Sequence, residues 1–247
     1  MCEATEQSAR IALVAITKHG AAQAAALAAL LPQAEIVTSQ KFAATFADVS
    51  NPLHPYEGAL RAQIPAMFAR YDQLIYFVSL GAVVRLIAPH LKSKDEDPGV
   101  LVVDDAGQFV IPVLSGHVGG ANAWAEHVAA LIGATPVLTT ASDVGKTIPV
   151  DILGRELGWS VEAPKINITR VSAHVVNEEP IAFIDERPQA SNDWWRRPTP
   201  LPNTIHLFTR FEDVPLDQFA AVLWVTQREL PAEIWRELHE KLVVYRP

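Results

Sequence analysis

The stretch from Val102 to Asp143, VVDDAGQFVIPVLSGHVGGANAWAEHVAALIGATPVLTTASD, restricts the fold of this chain more than any other. It reads as strand, tight turn, strand, glycine loop, helix, strand and threonine loop. At its centre SGHVGGAN, Ser115 to Asn122, follows the apolar run Phe109 to Leu114 and opens the helical pattern Trp124, Val128, Leu131, Ile132. The first amides of a helix have no partners inside it and carry partial positive charge, so such a loop is a potential anion site. Gly116, Gly119 and Gly120 would let a ligand approach the backbone without meeting a Cβ atom; the alternative is that they serve close helix packing. The second loop, Thr139 to Asp143, follows the short strand Pro136 to Leu138. In a parallel sheet both loops lie at the carboxyl edge, where open α/β sheets bind ligands. The glycine pattern is not the dinucleotide fingerprint, lacks a phosphate clamp and has no acidic ribose partner at the expected distance, which counts against a nucleotide-binding domain.

With 49% hydrophobic residues in 247, the chain can bury one large core or two small ones, and two are expected. A formal net charge of −8 with no basic run argues against nucleic acid as a partner. The apolar stretches are too short or interrupted to span a bilayer, and the first ten residues, MCEATEQSAR, do not read as a targeting segment. One cysteine, Cys2, leaves no disulfide framework or thiolate metal site and fits a reducing cytoplasm.

Alternating strand and helix patterns predict an α/β fold. A mostly parallel sheet with helices on both faces should occupy residues 1–160, ending in a helix from Asp151 to Trp159, and a smaller α/β module residues 161–247. Arg10 to Thr17 and Gln73 to Ser79 read as buried strands, Ala21 to Leu31 as a helix, and Glu57 to Tyr71 as a helix broken at Pro65. Lys18-His19-Gly20 either lines the same edge as the glycine loop or is an ordinary turn, the second being favoured. Arg85, one turn into an otherwise apolar helix, is either paired with a carboxylate such as Asp104 or a fork for a substrate carboxylate. Leu242 to Tyr245 reads as an edge strand. The loop holding Trp194-Trp195-Arg196-Arg197 either packs onto its own domain, the favoured reading, or stacks on a flat polyanion.

Taken together, SLGAVVRLIAP (Ser79 to Pro89), DPGVLVVDDAGQFVIPVLSGHVGGAN (Asp97 to Asn122) and GATPVLTTASDV (Gly133 to Val144) resemble the cobalt-precorrin 5A hydrolase family of anaerobic cobalamin biosynthesis. The resemblance covers the family's amino-terminal and central regions without its usual carboxyl-terminal domain. It implies a hydrolase that opens the ring A δ-lactone of cobalt-precorrin 5A, releases acetaldehyde and gives cobalt-precorrin 5B. No cofactor is implied, because cobalt belongs to the substrate. It also moves Arg85 toward carboxylate binding, with Gly81, Ser115, Gly116, Gly119, Gly120, Asn122, Thr139 and Thr140 as further substrate contacts. Lactone opening needs an activated water, donors for the oxyanion and a proton for the leaving oxygen. His117, at a helix start that disfavours its charged form, would be the base, with Asp143 orienting its imidazole or acting as base itself and Lys94 the next candidate. No GxSxG elbow occurs, so a covalent serine route is disfavoured. The other class of reading is a non-catalytic tetrapyrrole-binding module that hands its ligand to a neighbouring pathway enzyme or is completed by a separate carboxyl-terminal domain protein.

Overall fold

The computed structural model describes residues 9–93, 95–140, 147–154, 157–188 and 201–247. It divides into two compact units, Met1–Leu138 and Thr139–Pro247. Lys94, Asp143 and the Trp194-Trp195 loop lie outside the described residues.

The first unit is a seven-stranded sheet in the order β3-β2-β1-β4-β5-β6-β7. Its strands are β1 (Ile11–Ala15), β2 (Glu35–Ser39), β3 (Leu53–Tyr56), β4 (Gln73–Phe77), β5 (Gly99–Val103), β6 (Phe109–Leu114) and β7 (Thr135–Pro136). Helices α1 (Lys18–Leu30) and α4 (Ala121–Ile132) bury Ala24, Leu27, Ala125 and Val128 against Leu13, Ile75 and Leu101 on one face. Helices α2 (Ile64–Arg70) and α3 (Leu80–Ile87) bury Met67, Val83 and Ile87 against Val14, Leu74 and Val100 on the other. Cover on both faces explains why β1, β4 and β5 are apolar without alternation: every residue in them is buried. Pro65 does not break a helix but sits in the first turn of α2, where its missing N–H costs nothing.

Every neighbouring pair in this sheet is parallel except β5–β6, a hairpin. Asp104 closes its turn, accepting from the amides of Gln108 and Phe109 at 2.7 Å each and of Ala106 at 3.2 Å. Gly107 supplies the positive φ of 66°. Because the hairpin reverses chain direction, β6 delivers Ser115 to the edge opposite the carboxyl ends of β1 to β5.

The second unit begins earlier than the sequence patterns indicate. Ile148, Val150, Leu153 and Trp159 belong to its core, and the described part of Asp151–Trp159 forms turns in place of the expected helix. Gly154, at φ 73°, turns the chain so that the Trp159 ring covers it, and Tyr245 Oη donates to the Val150 carbonyl at 2.8 Å. Strands β8 (Ser160–Glu162), β9 (Ile181–Asp185), β10 (Ile205–Phe208), β11 (Ala221–Val225) and β12 (Leu242–Arg246) take the order β10-β9-β11-β12-β8, with helices α5 (Lys165–Val176) and α6 (Ala232–Glu237). All pairs are parallel except β12–β8. Leu242 to Tyr245 is therefore an inner strand, fully buried, because the short β8 caps that side.

Candidate functional site

In the first sheet the chain order reverses between β1 and β4: β2 and β3 continue on one side, β5 on the other. Crevices at such reversals, outside the carboxyl ends of the strands, are where open α/β sheets hold ligands. Two helix starts meet there. Thr17 caps α1, accepting from the Gly20 amide at 3.0 Å. Gly20 rests on the end of β4, where a Cβ would lie 2.6 Å from the Phe77 carbonyl oxygen. Thr17, Lys18 and His19 are thus held beside the end of β4 with their side chains in solvent. The Lys18-His19-Gly20 turn lines this crevice, not the glycine-loop edge.

Helix α3 starts from Ser79, whose carbonyl takes the amides of Ala82 and Val83 at 3.0 and 3.1 Å, while its hydroxyl caps nothing. The amides of Leu80 and Gly81 make no hydrogen bond to a described residue, so they remain donors at the crevice. Arg85 folds back along the helix and donates from Nη1 to the Gly81 carbonyl at 3.1 Å. Among the described residues no carboxylate pairs with it; Asp104 is spent on its own hairpin. The expected Arg85–Asp104 pair is therefore replaced by an exposed, available guanidinium. Around it Leu80, Val84 and Leu91 are 40%, 45% and 46% exposed. Leu80 and Val84 lie one turn apart on α3, as do Gly81 and Arg85, so this face is apolar with a cation along one side. Such a surface suits a flat apolar body with a carboxylate rim.

The glycine loop is built differently. Gln73 at the start of β4 donates from Nε2 to the Gly119 carbonyl, and Gly119 lies against Gly99 at the start of β5. The loop therefore sits at the amino ends of these strands, a strand length of roughly 16 Å from Arg85's edge. The first amides of α4 are already used: Ala121 donates to Ser115 at 3.2 Å and Asn122 to Gly116 at 3.0 Å, both to carbonyls. Each glycine also has a packing reason. A Cβ on Gly116 would lie 2.6 Å from Oδ1 of the buried Asn122, one on Gly119 would overlap the Ser115 side chain, and Gly120 holds φ 78°. The loop is a closely knit turn that carries a half-buried His117. One feature resists this account. Ser115 holds φ 54°, strained for a residue with a Cβ, and its Oγ is buried without a partner among the described residues, as is Oε1 of Gln73.

β7 runs parallel to β6, so the chain leaves it toward the Ser115 edge. Thr139 and Thr140 then belong to the second unit. The expected single site is thus divided: Gly81 and Arg85 at one edge, and Ser115, Gly116, His117, Gly119, Gly120 and Asn122 at the other. Strand order, not local pattern, brings the His19 turn to the same sheet edge as the start of α3.

Residues 62–143 match the family model described as cobalamin synthesis G N-terminal, and residues 148–247 the one described as cobalamin biosynthesis central region. The chain belongs to the cobalamin biosynthesis protein G family. A cobalt-precorrin-5A hydrolase from Priestia megaterium is 44% identical over 96% of this chain and 62% of its own length. One from Salmonella typhimurium is 34% identical over 75% of this chain and 48% of its own. The chain thus spans about half to three-fifths of the length of these two curated relatives. A crystal structure described as a cobalamin biosynthesis protein G homologue from Sulfolobus solfataricus superposes with a TM-score of 0.50 at 20% identity, covering 96% of this chain and 60% of that one, which supports the fold. None of the helices among the described residues is long and apolar enough to cross a membrane.

Proposed function

We propose that this chain carries out, in the cytoplasm, the reaction its relatives are named for, hydrolysis of cobalt-precorrin 5A to cobalt-precorrin 5B. The observation that carries this reading is Arg85, an exposed guanidinium without a carboxylate partner among the described residues, set on an apolar helix face at the chain reversal of the sheet. The macrocycle lies on Leu80 and Val84, one of its carboxylates pairs with Arg85, and cobalt enters with the substrate. The amides of Leu80 and Gly81 receive the oxyanion formed when water adds to the lactone carbonyl, and His19 takes the proton from that water. The ring oxygen leaves as the alcohol, taking up a proton; that alcohol then gives up its proton as its carbon–carbon bond to the macrocycle breaks, so the two-carbon fragment departs as acetaldehyde while the macrocycle keeps the bonding pair and takes up a proton. Anaerobic incubation with cobalt-precorrin 5A and an aldehyde trap tests the reading; tetrapyrrole binding without aldehyde would leave the chain a binding module.

The binding-module reading keeps the same crevice and the same ligand and drops the reaction. In it a separate carboxyl-terminal domain protein completes the site. Adding such a protein in trans then restores aldehyde release. A different placement of the chemistry, with His117 as base and the glycine loop as oxyanion site, is favoured by the strain at Ser115. Under the crevice reading Arg85→Lys keeps the fold and weakens substrate binding by about 1 to 3 kcal/mol, the worth of a charge-assisted fork, as read from a corrinoid absorbance titration. Unchanged affinity would remove Arg85 from the site.

A further inference from the structure

The second sheet also reverses its chain order, between β9 and β11, and a cleft of about 830 Å³ opens at the carboxyl ends of its strands. The segments that follow β9, β10 and β11 line it: Glu186 to Pro188, Thr209 to Glu212, and Thr226 to Arg228. Three of the lining residues are arginines, and they are not equivalent.

Arg187 is structural. It forks onto the nearly buried Asp185 at 2.8 and 2.6 Å and stacks on Trp159 with its guanidinium 4.4 Å from the ring centre. Arg228 forks onto Glu186, whose other tie is the Thr226 hydroxyl at 2.6 Å, and turns its remaining nitrogen, Nη1, to Glu212 at 3.2 Å. Arg210 is 67% exposed and reaches the same Glu212 carboxylate at only 3.6 Å. Glu212 is half exposed and spans two guanidinium groups, one already satisfied by Glu186 and the other loosely held. Exposed pairs of this kind contribute little, so its carboxylate is readily exchanged. The backbone between the two groups is fixed, because Phe211 stacks on Trp224 at 4.3 Å with the rings 5° apart. Trp224 also lies under Arg228, at 5.5 Å, and its Nε1 is buried with no partner among the described residues.

We propose that this cleft is a carboxylate-binding site, in which a ligand carboxylate displaces Glu212 and is held between Arg210 and Nη1 of Arg228. The site does not rest on the hydrolase reading, since it requires only an anion of this shape. The carboxylate comes either from the rim of a tetrapyrrole or from a small free polycarboxylic acid.

Calorimetric titration of the full chain with uroporphyrin, an octacarboxylate tetrapyrrole, and separately with tricarballylate distinguishes the two sources. Saturable binding is expected, tighter for the macrocycle if the rim is the ligand and for the small acid if it is not. Arg210→Gln, at an exposed position that leaves the fold intact, should weaken binding about tenfold or more. Glu212→Gln should tighten it severalfold, because the internal competitor loses its charge; a purely structural ion cluster would not give that sign. Absence of binding, a dissociation constant unmoved by Arg210→Gln, or weaker binding in Glu212→Gln overturns the proposal. So does binding that Arg85→Gln abolishes while Arg210→Gln leaves it intact, since it then belongs to the first unit. Loss of aldehyde release with this titration unchanged counts against the hydrolase reading alone.

Discussion

His19→Ala is expected to slow acetaldehyde release from cobalt-precorrin 5A by about a hundredfold, the lower end for removing a general base, with little change in substrate affinity. The side chain stands in solvent on the first turn of α1, and Gly20 packs that turn directly against the end of β4, from which the chain runs on to α3 and Arg85. His117→Ala should leave turnover within a few-fold of the parent, because His117 lies at the opposite edge, in a loop whose helix amides are already bonded to the carbonyls of Ser115 and Gly116. The two variants assayed side by side decide between the edges. A large loss in His117→Ala with His19→Ala near normal would move the reaction to the glycine loop and give the strain at Ser115 a catalytic meaning.

Gly119→Ala should destabilise the first unit by about 3 kcal/mol or more, the upper range for forcing atoms into a closed space. A Cβ there would overlap the Ser115 side chain and come within 2.9 Å of the Ser115 carbonyl oxygen and 3.1 Å of the Gly99 amide nitrogen. Two of these three obstacles are backbone, one of them at the start of an inner strand, so nothing can rotate away. Thermal unfolding should show a drop on the order of 10 °C. Gly81→Ala makes the useful contrast: its Cβ would meet only Arg85 Nη1, at 3.4 Å, and the melting temperature should hold. If Gly119→Ala melts like the parent but no longer binds tetrapyrrole, the glycine serves ligand approach and the packing account fails.

Much of the fold follows from local pattern. The unbroken apolar runs at Ile11–Ala15, Gln73–Phe77 and Gly99–Val103 predict strands covered on both faces, and the glycine loop opening a helix at Ala121 is visible in the order of residues. Family membership was equally legible, because it rests on contiguous motifs. The site was only half legible. That Arg85 and Gly81 belong together follows from helical spacing, but that Asp104 is unavailable depends on its closing a hairpin turn.

The tight turn after β5 was readable in Asp104-Asp105-Ala106-Gly107, and a hairpin always reverses direction, whereas a crossover through a helix preserves it. Counting that one reversal would have sent SGHVGGAN to the opposite edge from Arg85. What no local pattern contains is which strands become neighbours. That choice sets the crevice between β1 and β4, draws Ile148, Val150, Leu153 and Trp159 into the second core, and gathers Glu186, Arg210, Glu212 and Arg228 from the ends of three strands. Strand and helix periods are short-range steric facts about the backbone, determined residue by residue in the sequence. Strand order is decided by which buried faces fit together once the whole chain has collapsed, and in this protein it creates both candidate sites.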